Sequence, residues 1–351
     1  AGPVPVHGFR PRLPAHRWTL NFRRSVTEGR EGYSWGVDGG KFIYQYNEEA
    51  PISEQVNALY SLFFRENYMK LYEKSFAKLF WAQRMGDQFT YRASFSLEDR
   101  SPLSNHSNYS LFFKDSKEYN SNKPSQKDLN ESYFDSNQAA IIDLSLDWRP
   151  GLKYHIRNNR KIPLMTTAPL IMFSYRQAVP TILKGAEVSK YQQLEFGIKH
   201  SIPFGVSGRL AFNFSAGEFF NVKQAYFMDF KHFGGNKTVF SNMGATSNYR
   251  FLDYYSFSTL DRYFGGLVHY QFRKFIFTQL PGLRFSGMRE NLFFNYLKTK
   301  NSPHYWELGY SLDNLFRLFR LEIGAGFENK KYSSAGFRFG IATFISINIA
   351  E

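Results

Sequence analysis

The chain has 351 residues and a formal net charge of +14, and it contains no cysteine. The missing thiols exclude a disulfide scaffold, a thiolate metal site and a cysteine nucleophile. Aromatic residues make up 19% of the chain, with 38 Phe and 23 Tyr, yet the mean hydropathy is −0.43. Apolar side chains are therefore interleaved with polar ones, the composition of a sheet with one greasy face and one wet face. The most apolar run, Ile341 to Ala350, is interrupted by Thr343, Ser346 and Asn348 and is about half the length of a spanning helix. No basic run is dense enough to track a phosphate backbone, so nucleic acid is not expected as a partner. The excess of Lys and Arg reads as solvated loop and lumen side chains, or as attraction to anionic lipid head groups.

In chain order, residues 1–32 carry no secretory signal, so the chain is expected to be mature or a piece of something longer. They form an N-terminal segment with one candidate strand near Arg17, ahead of a barrel expected over 33–351. Ser53 to Glu66 has Val56, Leu59, Tyr60, Phe63 and Phe64 at helical spacing. Pro51 and Ser53 suit its opening, so a short amphipathic helix is expected over 53–66. Its expected place is on a loop or at the barrel mouth, with an interfacial membrane helix as the alternative.

Period two dominates from Thr90 onward. Tyr91, Ala93, Phe95 and Leu97 alternate with Arg92, Ser94 and Ser96. Arg100 to Gln138, rich in Ser, Asn and Lys, reads as a large surface loop holding at most a short strand around Tyr109 to Phe113. Ala140 to Arg149 alternates again, with Ile142, Leu144, Leu146 and Trp148 opposite Asp143, Ser145, Asp147 and Arg149. Further on, Leu194, Phe196 and Ile198 oppose Glu195, Gly197 and Lys199. Phe212 and Phe214 likewise oppose Arg209, Asn213 and Ser215. Glu218 to Ser247 is a second long segment. The alternation resumes through Phe264 to Arg273, Tyr305 to Leu312 and Phe319 to Glu328, and a last strand is expected at Ser334 to Ile347. Successive strand residues point to opposite faces, and segments near ten residues match a tilted membrane-spanning strand. A soluble sandwich would alternate too, but its strands are shorter. Trp148, Tyr263, Tyr305 and Trp306 also sit near strand ends, where an interfacial girdle belongs.

The expected fold is all-β: one transmembrane antiparallel β-barrel of about 14 to 16 strands. By parity, Arg92, Asp143, Asp147, Arg149, Glu195, Lys199, Arg209, Glu307, Arg320 and Glu322 face the lumen. Phe95, Leu144, Leu146, Phe212, Phe214, Leu321 and Ile323 face lipid. Inward glycines such as Gly197, Gly217, Gly309, Gly324 and Gly326 leave room for a loop or a neighbouring backbone to approach. With a C-terminus in the periplasm, counting back requires a strand near Phe220 to Phe230 and about 15 strands in all. That count exposes Arg100 to Gln138 on the cell surface.

Candidate chemistry is thin. Gly234 with Gly235 and Gly265 with Gly266 are isolated pairs, unlike a phosphate-binding loop. The eight histidines are scattered. His232 could be a ligand, but a loop histidine bonded to backbone is the plainer reading. A lipid hydrolase would need Ser and His on neighbouring strands, and His200 with Ser207 could meet only in a suitable hairpin register. No cofactor, metal or catalytic residue is expected.

The strings NYMKLYEKSFAKL (67–79), EDRSPL (98–103), YFMDFKHFGGN (226–236), FSTLDRYF (257–264) and YWELGYSLDNLFRLFRLEI (305–323) resemble an outer-membrane family of Bacteroidota known as domain of unknown function 5686. The resemblance runs in order from about Gly36 to Phe339. Such proteins usually carry an N-terminal carboxypeptidase-regulatory-like sandwich, which is not seen here. The last strands are similar to those of Omp85-type assembly barrels, without the repeats of their periplasmic modules. The resemblance implies a multi-pass barrel in a Gram-negative outer membrane. Its expected partners are outer-membrane lipids, lipopolysaccharide and other outer-membrane proteins. The expected role is a non-enzymatic component in transport, export or assembly of envelope material. The alternatives are a structural or interaction subunit with a plugged lumen and, third, a lipid hydrolase.

Overall fold

The computed structural model describes residues 18–28, 31–105, 108–114, 116–124, 131–158, 160–180, 187–241, 244, 246–283 and 285–341. The strands in chain order begin with β1 (Trp18–Glu28), β2 (Glu31–Gln45), β3 (Leu71–Met85), β4 (Phe89–Pro102) and β5 (Asn137–Trp148). A hairpin of β6 (Lys153–Arg157) and β7 (Arg160–Leu164) follows, then β8 (Leu170–Ala178), β9 (Lys190–Phe204), β10 (Gly208–Gln224) and the two-residue β11 (Phe240–Ser241). The last five are β12 (Tyr263–Phe272), β13 (Arg289–Thr299), β14 (Tyr305–Leu315), β15 (Phe319–Glu328) and β16 (Lys331–Ile341). Helix α1 (Glu54–Phe64) lies between β2 and β3.

Each long strand pairs antiparallel with the next, in the order β1-β2-β3-β4-β5-β8-β9-β10-β12-β13-β14-β15-β16. The hairpin β6–β7 forms a separate ribbon, and β11 adds in parallel to the outer edge of β16. Among the described residues β1 and β16 are not paired with each other, so the barrel sheet is open along one seam. Its curl is evident from one segment that touches strands far apart in the order. Asp229 meets Arg100 of β4 and Tyr191 of β9, while the backbone of Phe251 meets Glu307 of β14.

Thirteen long strands are present among the described residues, fewer than the count from sequence. The separate strand expected near Phe220 to Phe230 is absent. Its first part is the end of β10, and Phe227–Asp229 is a buried 3-10 turn. Phe227, with Met228 and Phe230 against it, packs into a buried aromatic cluster, whereas Phe220 and Val222 on the end of β10 are exposed. Tyr109 to Phe113 is not a strand either; Phe113 has a positive φ of 65°. Of the final strand expected at 334–347, residues 342–347 lie outside the described residues, as do residues 1–17. The strand expected near Arg17 is β1, paired to β2 in the same sheet.

Helix α1 matches the expected span. The Ser53 hydroxyl accepts the Val56 N–H at its start, and Arg65 closes it in the left-handed conformation. An arginine there is strained, and its side chain is held firmly. Its guanidinium donates to the Lys114 carbonyl at 2.8 Å and lies 5.3 Å from the Tyr119 ring. The helix therefore packs on the 103–136 link. Through the Tyr60 hydroxyl, which accepts the Val239 N–H at 2.8 Å, it also packs on the link between β10 and β12.

Because the sheet is an up-and-down meander, its links fall at two ends. One end has 46–70, 103–136, 179–189, 225–262, 300–304 and 329–330. The other has the tight turns 86–88, 205–207 and 316–318, with 29–30, 149–169 and 273–288.

Candidate functional site

The sheet has one face of exposed apolar side chains and one covered face. Leu144, Leu194, Phe264, Phe294, Leu308, Leu321, Ile323 and Phe337 are exposed, while their strand neighbours Glu307, Glu322, Asn291 and Asn295 are almost wholly buried. Alternation sends the second set inward, and the 225–262 link covers them.

This link doubles back on itself. Lys231 and Thr259 exchange backbone hydrogen bonds at 2.9 and 3.1 Å, and the Tyr249 and Asn236 N–H groups donate to Gly234 and Leu252. The resulting irregular hairpin is tied to the sheet at four places. At the first, Arg100 donates to the Asp229 carboxylate at 2.7 Å, with both side chains at most 2% exposed. Ser189 donates to the same carboxylate at 2.6 Å, and so does the Tyr226 N–H at 3.0 Å. At the second, the Lys231 ammonium lies 2.6 Å from Glu49 and 2.7 Å from Glu195, and Tyr263 also donates to Glu195.

The third tie is Glu307, 0% exposed. Its carboxylate accepts the backbone N–H groups of Arg250 and Phe251, the Asn295 amide at 2.6 Å and the Tyr305 hydroxyl at 2.7 Å. A buried charge without partners would be costly; four donors satisfy this one. Arg250 continues to Glu322 at 3.4 Å and lies over the Phe293 ring. Arg320 in turn spans Asp313 and Glu322. At the fourth tie, Arg338 of β16 donates to the carbonyls of Thr238 and Asn236 and lies 4.8 Å from the Phe251 ring.

Packing supports these polar ties. Tyr46, Tyr72, Phe134, Phe227 and Tyr255 form a buried aromatic cluster, in which Tyr46 meets Phe227 edge-on at 5.1 Å. Each such ring pair contributes about 0.5–1.5 kcal/mol beyond its buried area. Phe251 rests on a floor without side chains. A Cβ built at Gly324 would come 2.8 Å from its ring, and one at Gly326 3.4 Å from its Cβ. These are two of the inward glycines that the sequence marks as sites of close approach.

Of the residues expected in the lumen, Glu195, Glu307 and Glu322 meet the 225–262 link, and Arg320 pairs with Glu322 behind it. Arg92 pairs with Asp147 at 2.8 Å, and Asp143 accepts from Arg176 at 2.6 Å. Lys199 and Arg209 are exposed near the tight-turn end. Arg149 lies just past the end of β5 and donates to the Met165 carbonyl at 3.4 Å. Among the residues expected to face lipid, Leu144, Leu321 and Ile323 are exposed, and Phe95, Leu146, Phe212 and Phe214 are half-buried among exposed neighbours. Sequence parity missed Arg100, Asp229, Lys231, Arg250 and Arg338. For Asp229, Lys231, Arg250 and Arg338 the signal is charge set inside otherwise apolar stretches, as in Tyr249-Arg250-Phe251-Leu252, whereas Arg100, in Glu98-Asp99-Arg100-Ser101, carries no such mark.

His232 is a structural residue. It is buried, with Nδ1 2.7 Å from the Ser258 hydroxyl and Nε2 2.9 Å from the Phe227 carbonyl. A carbonyl can only accept, so Nε2 carries the proton and Nδ1 accepts from Ser258. Burial pushes the imidazole down to about 4, so it is neutral at ordinary pH. His200 pairs across the ladder with Phe212, whereas Ser207 sits in the turn. At about 3.4 Å per residue the register holds the two well apart, so they form no hydrolytic pair. Among the described residues no three His, Asp or Glu side chains gather as metal ligands.

The family model described as the C-terminal domain of a family of unknown function (DUF5686) matches residues 14–312. No curated protein matches the chain in sequence. Among solved structures, BamA from Haemophilus ducreyi lacking POTRA domains 1–3 aligns over 92% of this chain and 60% of its own. The identity is 13% and the TM-score 0.47. The chain thus spans less than two thirds of that structure's length.

Proposed function

The chain belongs to the family of unknown function DUF5686, and on that footing we propose that it is a non-enzymatic outer-membrane barrel with a plugged lumen, acting through partners rather than as an open pore. The observation that carries this reading is the 225–262 link, tied to the inner face through Asp229, Lys231, Phe251 and the Glu307 carboxylate. The exposed apolar face supports contact with outer-membrane lipid. Aromatic pairs near both strand ends, Phe89 with Trp148 and Trp306 with Phe327, suit the two interfaces of a bilayer. The wider process is transport, export or assembly of envelope material within a complex, with lipopolysaccharide against the outer part of the exposed face.

Planar bilayers test the plug. The purified chain is expected to stay silent, and the double variant Asp229→Asn with Glu307→Gln is expected to conduct. Steady conductance by the unaltered chain would favour the open-pore reading. Partner capture from mild detergent, with identification by mass, tests the second half of the proposal.

A further inference from the structure

The two ends of the sheet differ in charge and in what they display. At the tight-turn end, 149–169 contains Arg149, Lys153, Arg157, Arg160 and Lys161 and no Asp or Glu. The 273–288 link, with Arg273 and Lys274, is likewise free of acidic residues. At the opposite end, 46–70 and 103–136 each carry more Asp and Glu than Lys and Arg. A net charge of +14 is therefore not spread evenly; two of the largest links of one end are purely basic.

The same links display apolar side chains. The β6–β7 ribbon exposes Ile156, Ile162 and Leu164, and Met165 just past it is exposed too. A lone two-stranded ribbon is marginal in water without a surface to pack on. In 273–288 the display is built rather than loose. The Glu290 carboxylate at the start of β13 accepts the backbone N–H groups of Ile276, Phe277 and Thr278 at 2.9–3.0 Å. That fixes a 3-10 turn with Ile276 and Leu280 pointing out, and Phe285 beyond it is 86% exposed. The neighbouring turn adds Phe316, 92% exposed.

We propose that the tight-turn end is a lipid-docking collar, in which the β6–β7 ribbon and the 273–288 link insert apolar tips among anionic phospholipid head groups. The proposal rests on the outer-membrane reading above. Basic side chains flanking short apolar tips are what an anionic interface selects, because the charges stay at the head groups while the tips enter the acyl boundary. An acidic protein would match the charge, but it would not require tips so exposed and so scattered over separate links.

The test is lipid retention by the detergent-purified chain, read by native mass spectrometry, with phosphatidylglycerol, phosphatidylcholine and lipopolysaccharide offered in turn. The unaltered chain is expected to retain phosphatidylglycerol over phosphatidylcholine. The variant Lys153→Gln, Arg157→Gln, Lys161→Gln, Arg273→Gln, Lys274→Gln is expected to lose that preference by roughly tenfold or more. A control at the opposite end, Lys114→Gln with Lys237→Gln, is expected to keep it, and Ile156→Ser with Phe285→Ser to weaken it. Lipopolysaccharide retention should be the same in all variants. Unchanged preference in the fivefold variant overturns the proposal. So does loss of lipopolysaccharide alone, or loss of a co-purifying acidic protein with phospholipid preference intact. Heat-modifiable migration on electrophoresis reports the barrel separately: a variant that keeps it while losing lipid supports the collar. If the unaltered chain lacks heat-modifiable migration, the outer-membrane reading itself fails.

Discussion

Arg100 of β4 and Asp229 of the 225–262 link, 129 residues apart in sequence, form a buried ion pair at 2.7 Å. Both charges are shut off from water, so removing one leaves the other to weaker partners: Glu98 at 3.4 Å from Arg100, or the Ser189 hydroxyl and Tyr226 N–H that donate to Asp229. Asp229→Asn keeps the shape and removes the charge. It is expected to cost about 3–5 kcal/mol, read as a lower midpoint of the heat-modified transition in detergent. A midpoint equal to that of the unaltered chain would mean that water replaces the missing charge and that the pair does not hold the link.

Glu307 makes a different demand, because it is the acceptor for two consecutive backbone N–H groups of the link. Glu307→Gln turns one accepting oxygen into a donor that faces other donors. We expect a loss of about 3 kcal/mol and faster proteolysis at 249–252. Protection unchanged in limited digestion would show that the backbone contacts are dispensable.

Face matters more than position along a strand. Arg introduced at Leu144, Leu308 or Ile323, all on the exposed face, should cost about 2–4 kcal/mol near the bilayer midplane. Arg at the inward neighbour Ser145 should be tolerated better. Equal damage on both faces, measured as folding yield into lipid vesicles, would argue for a filled soluble sheet instead.

Acid should loosen the link through His232. Its imidazole titrates at about 4 in the fold against 6.5 as the ordinary value, because burial disfavours the charged form. A depressed value in a base means that the unfolded chain binds the proton first. The contribution is complete above about pH 6.5 and is lost as pH falls towards 4, to a total of about 3 kcal/mol. His232→Gln should therefore show a shallower fall in stability between pH 7 and pH 4.5 than the unaltered chain. Parallel curves would assign acid sensitivity to other groups, such as the nearby Lys231 with Glu49.

The absence of cysteine makes sidedness directly measurable. Under the proposed outer-membrane placement, the meander is expected to put 103–136 outside and the 205–207 turn on the periplasmic side. Asn122 is an unsuitable tag site, because its side chain bridges Leu71 and Leu103, whereas Ser116 is exposed. Ser116→Cys should react with an impermeant maleimide on intact cells, and Val206→Cys only after the outer membrane is broken. The reverse pattern would invert the topology.

The sequence by itself determined what depends on local geometry. Side chains two residues apart share a face of any strand, so the alternation in residues such as Leu308, Tyr310 and Leu312 marks both a strand and its exposed side before any pairing is known. Ser53 and the helical spacing after it placed α1 for the same reason, since caps and periodicity act within a few residues. The inward glycines Gly324 and Gly326 announced a close approach but not its occupant. That was decided by tertiary structure. The stretch from Phe220 to Phe230 is apolar enough for a strand, yet it ends one strand and begins the 225–262 link. The choice turns on Arg100, Glu195, Glu307 and Arg338, each supplied by a different strand. Partners dozens of residues away, 57 for Glu307 with Arg250 and 129 for Arg100 with Asp229, leave no period in the chain. The strand number, the filled inner face and the basic, apolar rim all follow from which link lands at which end, a matter of topology that no single segment encodes.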